Sequence, residues 1–132
     1  MSAVTLESIR TGLAAAIQTT GYKTHEAPLT TVMPPAVVIV PDSPYLEVNT
    51  LSSGGLVWQA NFELIVAVAS LDNRGSLAQL ERIIVKVCEA LPRGTILSEV
   101  QQPQVEEVGP SSLLTARIPV SLRANLTSPS VL

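Results

Sequence analysis

The feature that most constrains the fold is an alternating run at residues 57–69. Every second residue in it is apolar: Trp58, Ala60, Phe62, Leu64, Val66 and Val68. The residues between them begin polar and then become apolar: Gln59, Asn61, Glu63, Ile65, Ala67 and Ala69. Successive side chains of a β-strand point to opposite faces. The run therefore predicts a strand that is half-exposed where it begins and covered on both faces where it ends.

Two segments have helical rather than strand periodicity. Residues 6–19 carry apolar side chains at spacings of three and four: Leu6, Ile9, Leu13 and Ile17. Thr5 is the predicted N-cap of this helix, and Gly21 is its predicted stop. A turn at residues 72–75 precedes a second helix at residues 77–90, with Ser76 as its predicted N-cap. Its predicted buried stripe is Leu77, Leu80, Ile83, Ile84, Val87 and Leu91.

Other segments predict further strands. They lie at residues 22–27, 36–40, 100–108 and 114–124, and residues 45–48 are the predicted arm of a hairpin. The Val-rich run at 36–40 has prolines on both sides, which is typical of a short strand covered on both faces. Pro41 and Pro44 predict an irregular segment after it, and residues 49–55 predict the tip of a long hairpin.

The last two predicted strands each contain a proline. Pro103 interrupts residues 100–108, while residues 114–124 alternate regularly around Pro119. Proline has no amide hydrogen to donate, so one edge of the last strand should be free or bulged at Pro119. The predicted element order is α-β-β-β-α-β-β. We expect an α+β fold, a mostly antiparallel sheet with two helices on one face, in a single domain over residues 1–132, with residues 127–132 as a C-terminal tail.

Composition excludes several classes of function. The net charge is −3 and the eight basic residues are scattered, which argues against a dedicated nucleic-acid-binding protein. Cys88 is the only cysteine, so an intrachain disulfide cannot form and a reducing compartment is the simplest setting. The N-terminal residues lack the apolar core of a signal peptide, and no apolar run is long enough to predict a membrane-spanning helix.

Residue types that carry chemistry are sparse. His25 is the only histidine and Cys88 is distant from it in sequence, so neither predicts a metal site. Glu106 and Glu107 are adjacent on a predicted strand and should point to opposite faces, which excludes an acid/base pair. No Ser-centred nucleophile motif or phosphate-binding loop occurs. We therefore predict no catalytic residue, no metal and no cofactor.

Assembly is the remaining interpretation. Only 14% of the residues are charged, and such a low value suggests that part of the surface is covered by other subunits. We expect association through the polar outer face of the sheet and the hairpin at residues 45–56. The candidate interface residues are Tyr45, Leu56, Gln59, Asn61, Glu63, Arg117 and Arg123. The alternative for each is a solvated strand face.

The order of segments over nearly the whole chain resembles a known family. A helix "LESIRTGLAAAI" precedes a strand "PPAVVIV"; a long strand "WQANFELIVAVAS" leads into "LDNRGSLAQLERII"; and "LLTARIPVSLRANL" closes the chain. This pattern resembles the tail terminator (tail-to-head joining) proteins of siphovirus-type tailed bacteriophages.

That resemblance implies a structural virion protein rather than an enzyme. Such proteins have an α+β fold and form a six-membered ring on the head-proximal end of the tail tube. The homohexameric ring would end tube polymerisation and dock to the head-tail connector, with DNA passing through its lumen without specific binding. Its implied partners are copies of itself, the tail tube protein and the connector or neck protein, with no membrane. Assembly would take place in the host cytoplasm.

Three alternatives remain at this point. The chain could be another neck, head-closure or tail-completion subunit of the same particle. It could instead be a small cytoplasmic oligomer that binds a ligand or acts as an enzyme between protomers. The third alternative is a monomeric domain.

Overall fold

A computed structural model describes residues 3–26, 33–52, 55–70, 74–97, 99–108 and 111–126. The elements in these ranges are β1 (Ala3–Val4), α1 (Leu6–Gln18), β2 (Lys23–His25), β3 (Ala36–Ser52), β4 (Gly55–Ala69), α2 (Arg74–Ala90), β5 (Ile96–Leu97), β6 (Gln104–Val108) and β7 (Ser111–Leu126). The predicted α+β class and its order of main elements are confirmed. The two-residue strands β1 and β5 are additions to the prediction. The predicted tail at residues 127–132 lies outside the described residues.

The strands form one mostly antiparallel sheet. Its main path runs β1-β7-β4-β3-β2, and β5 and β6 also pair with β7. Strands β3 and β4 form the predicted long hairpin, in which register extends from Ala36 opposite Ala67 to Ser52 opposite Gly55. The short pairings of β2 with β3 and of β1 with β7 are parallel. Strand β4 is thus central, with β3 on one side and β7 on the other.

Both helices pack on the same face of this sheet. Their buried side chains meet those of one face of β4 in a single core: Leu13, Ile17, Leu80, Ile83 and Val87 with Phe62, Leu64, Val66 and Val68. Thr5 caps α1 as predicted, since its Oγ1 accepts a hydrogen bond of 3.1 Å from the Ser8 amide. The alternating pattern of residues 57–69 therefore identified the core-facing side of β4 correctly.

The beginning of α2 differs from the prediction. The helix already includes Arg74, so Ser76 lies inside its first turn and cannot be its N-cap. The first backbone amides of a helix have no acceptor within the helix, and a serine hydroxyl can accept a hydrogen bond from them. A serine is therefore acceptable in the first turn as well as at the N-cap. Leu77 is exposed rather than part of the buried stripe. The rest of the predicted turn, residues 72 and 73, lies outside the described residues.

The predicted irregular segment at Pro41 and Pro44 is present as a register shift between Pro41 and Leu46. It does not end the strand, since β3 continues to Ser52. The chain bulges there, because residues 42–45 oppose only Asn61 on β4. Conversely, β6 begins only at Gln104, directly after Pro103, so the predicted strand at residues 100–108 is shorter than expected.

Around Pro119 the described residues leave only a short stretch of β7 without a strand partner on the side away from β4. On one side Pro119 is in register with Glu63 of β4. On the other side Leu97 pairs with Val120, and the Gln101 amide donates a 3.0 Å hydrogen bond to the Arg117 carbonyl. Pro119 therefore lies in the gap between β5 and residue 101. No helix in the described part of the chain is long and apolar enough to cross a membrane.

Candidate assembly surfaces

The predicted polar face exists and gathers five of the seven candidate residues. We call it the outer sheet face, which is the face opposite the helices. Gln59 lies opposite Arg123 and Asn61 opposite Ser121 in the β4–β7 register. Cross-strand partners project from the same face, and Glu63 and Arg117 alternate onto it as well. The five side chains are Gln59, Asn61, Glu63, Arg117 and Arg123.

The charged half of this face is an ion-pair triad across three strands. Arg117 on β7 donates from Nη1 to Oε1 of Glu63 on β4 at 2.7 Å. It also donates from Nη2 to Oε1 of Glu106 on β6 at 2.6 Å. Burial alone would lower the pKa of Arg117, but the hydrogen bonds and charges of the two carboxylates raise it above its ordinary value. The triad ties the edge strand β6 to the centre of the sheet.

Glu106 is the most strongly held carboxylate of the triad. Its Oε2 accepts a 2.6 Å hydrogen bond from the Thr115 hydroxyl, in addition to the bond from Arg117 to its Oε1. Burial would raise the pKa of Glu106, yet these hydrogen bonds and the Arg117 charge together lower it below its usual range. This carboxylate is therefore an anion at neutral pH and is not poised as a proton donor.

Asn61 is the centre of the hydrogen-bond network on the other half of this face. Its Nδ2 donates to the Pro44 carbonyl at 2.9 Å and to Oε1 of Glu47 at 3.2 Å. Its Oδ1 accepts from the Ser121 hydroxyl at 2.6 Å and from Nε2 of Gln59 at 3.1 Å. Only 7% of Asn61 is exposed, so the expectation that it lies on an open half of β4 is wrong. The β3 bulge covers it; Pro41 and Pro44 predicted an irregular segment there but not its contact with Asn61.

The remaining two candidates do not join this face. Tyr45 lies in the β3 bulge on the helix side, where its ring packs edge-on against Phe62 with centroids 5.8 Å apart. Leu56 pairs with Leu51 near the tip of the hairpin, and its side chain lies outside the described part of the structure. The farther end of the outer face is buried within the chain, at Val38, Ile65, Ala67, Leu113 and Thr115.

Sequence reasoning missed an apolar sheet edge. We call it the β5–β6 edge, formed by residues 96–97 and 99–105. Its large apolar side chains are 40–62% exposed: Ile96, Leu97, Val100 and Val105. On one side this segment pairs with β7, and on the other it meets no strand of the described ranges. The predicted strand at residues 100–108 already included Val100 and Val105, but a sequence pattern does not show which strand lies at the edge of a sheet.

The opposite edge of the sheet is also open. We call residues 46–52 the β3 arm. Strand β2 pairs with β3 only from Ala36 to Val38, so within the described ranges the arm has β4 as its single neighbour. Val48 on the arm is 51% exposed. Unpaired edges with exposed apolar side chains are sites at which other chains add to a sheet.

Groups that could support other chemistry are dispersed. Among the described residues, no three His, Cys, Asp or Glu side chains are grouped so that they could hold a metal ion. Cys88 is partly buried as expected, and burial raises the pKa of its thiol. A shallow depression on the exposed side of α2 is lined by Ala78, Glu81, Arg82, Val85, Lys86 and Glu89. It holds no paired acid and base in contact.

No protein-family model matches the chain, and no curated protein matches it significantly.

Proposed function

We propose that this protein is a tail terminator, a structural subunit that forms a ring on the head-proximal end of a phage tail tube. The observation that carries the proposal is the pair of open and unlike sheet edges. The β5–β6 edge carries Ile96, Leu97, Val100 and Val105, while the β3 arm lies at the other end of the strand order. A subunit with two different unpaired sheet edges, each with exposed apolar side chains, is suited to contacting two neighbours.

Unlike edges favour a particular kind of symmetry. Contact between two different surfaces of identical subunits is heterologous, and it generates a closed ring when the rotation closes and an open helix when it does not. A subunit whose only exposed apolar patch were self-complementary would instead form a two-fold dimer. The two edges on opposite sides of one sheet therefore support a ring, which agrees with the family that the sequence resembles.

The outer sheet face supports the passage of DNA without binding. Its described charged groups are three carboxylates, Glu47, Glu63 and Glu106, and two guanidinium groups, Arg117 and Arg123. Arg117 is already paired with two of the carboxylates. Non-specific affinity for DNA depends on free basic groups that neutralise phosphates, so this face offers little to hold a duplex.

In this function the protein makes and breaks no covalent bond. A ring on the tube end would block addition of further tube subunits and present its other rim to the connector. The partners are the tail tube protein, the connector or neck protein and the other copies of the chain. The protein would then reside in the neck region of the virion.

The test combines native mass spectrometry with electron microscopy. The purified protein would be measured alone and after mixing with tubes assembled from a tail tube protein of the same genome. We expect closed rings of about the six subunits that the family resemblance implies, or tubes that carry one ring at one end and stop growing. A monomer that ignores tubes at every concentration would overturn the proposal. Binding to the connector alone would point to a head-closure subunit instead.

A further inference from the structure

We propose that the β3 arm of one copy adds as a strand to the β5–β6 edge of the next copy, so that the sheets of neighbouring subunits become continuous. This inference rests on the proposed ring but specifies which surfaces meet. Its occupant is a second copy of this chain, because the same chain supplies both an open acceptor edge and an open arm.

The distribution of apolar side chains at the β5–β6 edge selects an in-plane partner. Ile96 is in register with Ser121, which lies on the outer face beside Asn61. Leu97 is in register with Val120, and Val105 with Leu114, both on the helix side. A partner stacked on one face would cover only part of this set. A strand added in the plane of the sheet contacts side chains on both faces.

The prolines select the part of β3 that can serve as the added strand. Proline lacks an amide hydrogen and blunts an open edge. Pro41 and Pro44 occupy the half of the open β3 edge nearer to β2, whereas residues 46–52 contain no proline. The arm therefore retains every backbone donor needed for a ladder, with Val48 exposed beside it.

Strand directions agree with this pairing. Strands β3 and β7 are both antiparallel to β4, so they run in the same direction. Strands β5 and β6 are antiparallel to β7. A neighbour in the same orientation thus has its β3 arm antiparallel to the β5–β6 edge. The arm is level with residues 122–124 of β7 and the edge with residues 111–121, so the contact also requires the neighbour to be displaced along the strand direction. The antiparallel alternation continues across the junction, and the same step can repeat around a ring.

The competing arrangement pairs two β3 arms about a two-fold axis. It would cover Val48 in both copies but leave all four apolar side chains of the β5–β6 edge in water. The head-to-tail arrangement covers both edges with one type of contact, which is why we favour it.

Disulfide trapping tests the contact directly. In a Cys88→Ala background, Val48→Cys would be combined in turn with Leu97→Cys and Val100→Cys, and the protein oxidised with diamide. Within one subunit β4 and β7 separate β3 from β5, a gap of about 14 Å at the usual strand spacing, which is beyond disulfide reach. Any disulfide between the two positions must therefore join different copies. We expect a ladder of multimers ending at the ring size on a non-reducing gel.

Controls separate the alternatives. Val48→Cys with Val85→Cys on α2 should give no ladder. Dimers from Val48→Cys alone would show arm-to-arm pairing and overturn the inference. Rings without cross-links at either edge position would also overturn it, while leaving the proposed function intact. Absence of rings in the uncrosslinked protein, alone and on tubes, would instead remove the proposed function.

A charge at the edge provides a second readout. Val100→Lys places an ammonium group at an exposed position, so the monomer should keep its circular dichroism spectrum and melting temperature. The concentration at which rings dissociate should rise at least tenfold, since burial of one valine contributes about 1.5 kcal/mol per contact. Val85→Lys on α2 is the matched control and should leave that concentration unchanged. Equal ring stability in both variants would contradict the proposed edge contact.

Discussion

At the scale of single residues, Arg117 is the side chain on which the outer sheet face depends most. One guanidinium holds Glu63 and Glu106 at 2.7 and 2.6 Å. Arg117→Leu would leave two partly buried carboxylates facing each other without a cation. We expect the free energy of unfolding to fall by about 1–2 kcal/mol, because hydrogen bonds to charged groups contribute more than neutral ones and partial exposure reduces that value. Urea titration of the monomer measures it.

Arg123→Leu is the matched control. The Arg123 guanidinium is exposed and donates to Oε1 of Gln59 at 3.4 Å, so its loss should change the free energy of unfolding by less than about 0.5 kcal/mol. Arg117→Lys should fall between the two, since an ammonium group keeps the charge but loses the planar fork. Equal effects of the two leucine variants would show that the triad does not stabilise the sheet.

The same triad predicts a pH dependence. The pKa of Glu106 is lowered in the folded protein, so the unfolded chain binds more protons in the acid range. Its contribution to stability is complete above the pKa of about 4.3 of an unfolded glutamate and is lost as the pH falls through the lower, folded pKa. Glu106→Gln removes this titration. We expect the variant to be less stable at pH 7 and the two urea midpoints to converge below pH 4; a constant difference between them would contradict this account.

At the scale of secondary-structure elements, the β3 bulge is the feature that the hydrophobic pattern could not predict. Asn61 stabilises the bulge, because its Nδ2 donates a hydrogen bond to the Pro44 carbonyl. Asn61→Asp keeps the shape and the acceptor for Ser121 but removes this donor and places a carboxylate near Glu47. We expect a loss of about 1–3 kcal/mol in the free energy of unfolding at pH 7. The loss should shrink at acid pH, where a protonated carboxyl can donate again.

Ser121→Ala is the control for that substitution. It removes one hydrogen bond to Oδ1 of Asn61 and leaves the donor side intact. A loss for Asn61→Asp no larger than that for Ser121→Ala would mean that the bond to the bulge contributes little. Thermal and urea unfolding of the three proteins are sufficient to decide.

Periodicity predicted the elements that depend on burial and failed where backbone geometry decides. The alternation at residues 57–69 identified β4, because its core side must be continuously apolar. The burial of Asn61 depends instead on how many residues of β3 lie opposite it. That register cannot be predicted from the composition of either strand. The predicted N-cap at Ser76 was wrong for a related reason, since a residue that is suited to the N-cap is also acceptable in the first turn of a helix.

At the scale of the whole molecule, the sequence pointed to the outer sheet face but not to the sheet edges. Gln59 and Arg117 were identifiable because alternation assigns a face to each residue. An edge is a property of strand order, which emerges only when β5 and β6 are placed beside β7. Only the folded chain therefore shows that the exposed Val100 and Val105 lie at a sheet edge.

In the proposed ring of continuous sheets, one face of each sheet must turn toward the ring axis. The helices add a layer about 10 Å thick to one face, and the convex side of a curved sheet offers that layer more room. We therefore expect the outer sheet face, with Arg123, to line the channel and α2, with Arg82, to lie on the outside. Arg123→Cys and Arg82→Cys, each in the Cys88→Ala background, are a matched pair because both side chains are exposed in the monomer.

Biotin maleimide is small enough to reach both cysteines, whereas streptavidin is too bulky to enter a narrow channel. Biotinylated monomers of both variants should bind streptavidin. After ring assembly, only the Arg82→Cys protein should do so, with streptavidin visible around the outer rim in electron micrographs. Streptavidin bound to Arg123→Cys rings and absent from Arg82→Cys rings would show the reverse curvature. In that case the helices, rather than the Glu63–Arg117–Glu106 triad, would face whatever passes through the ring.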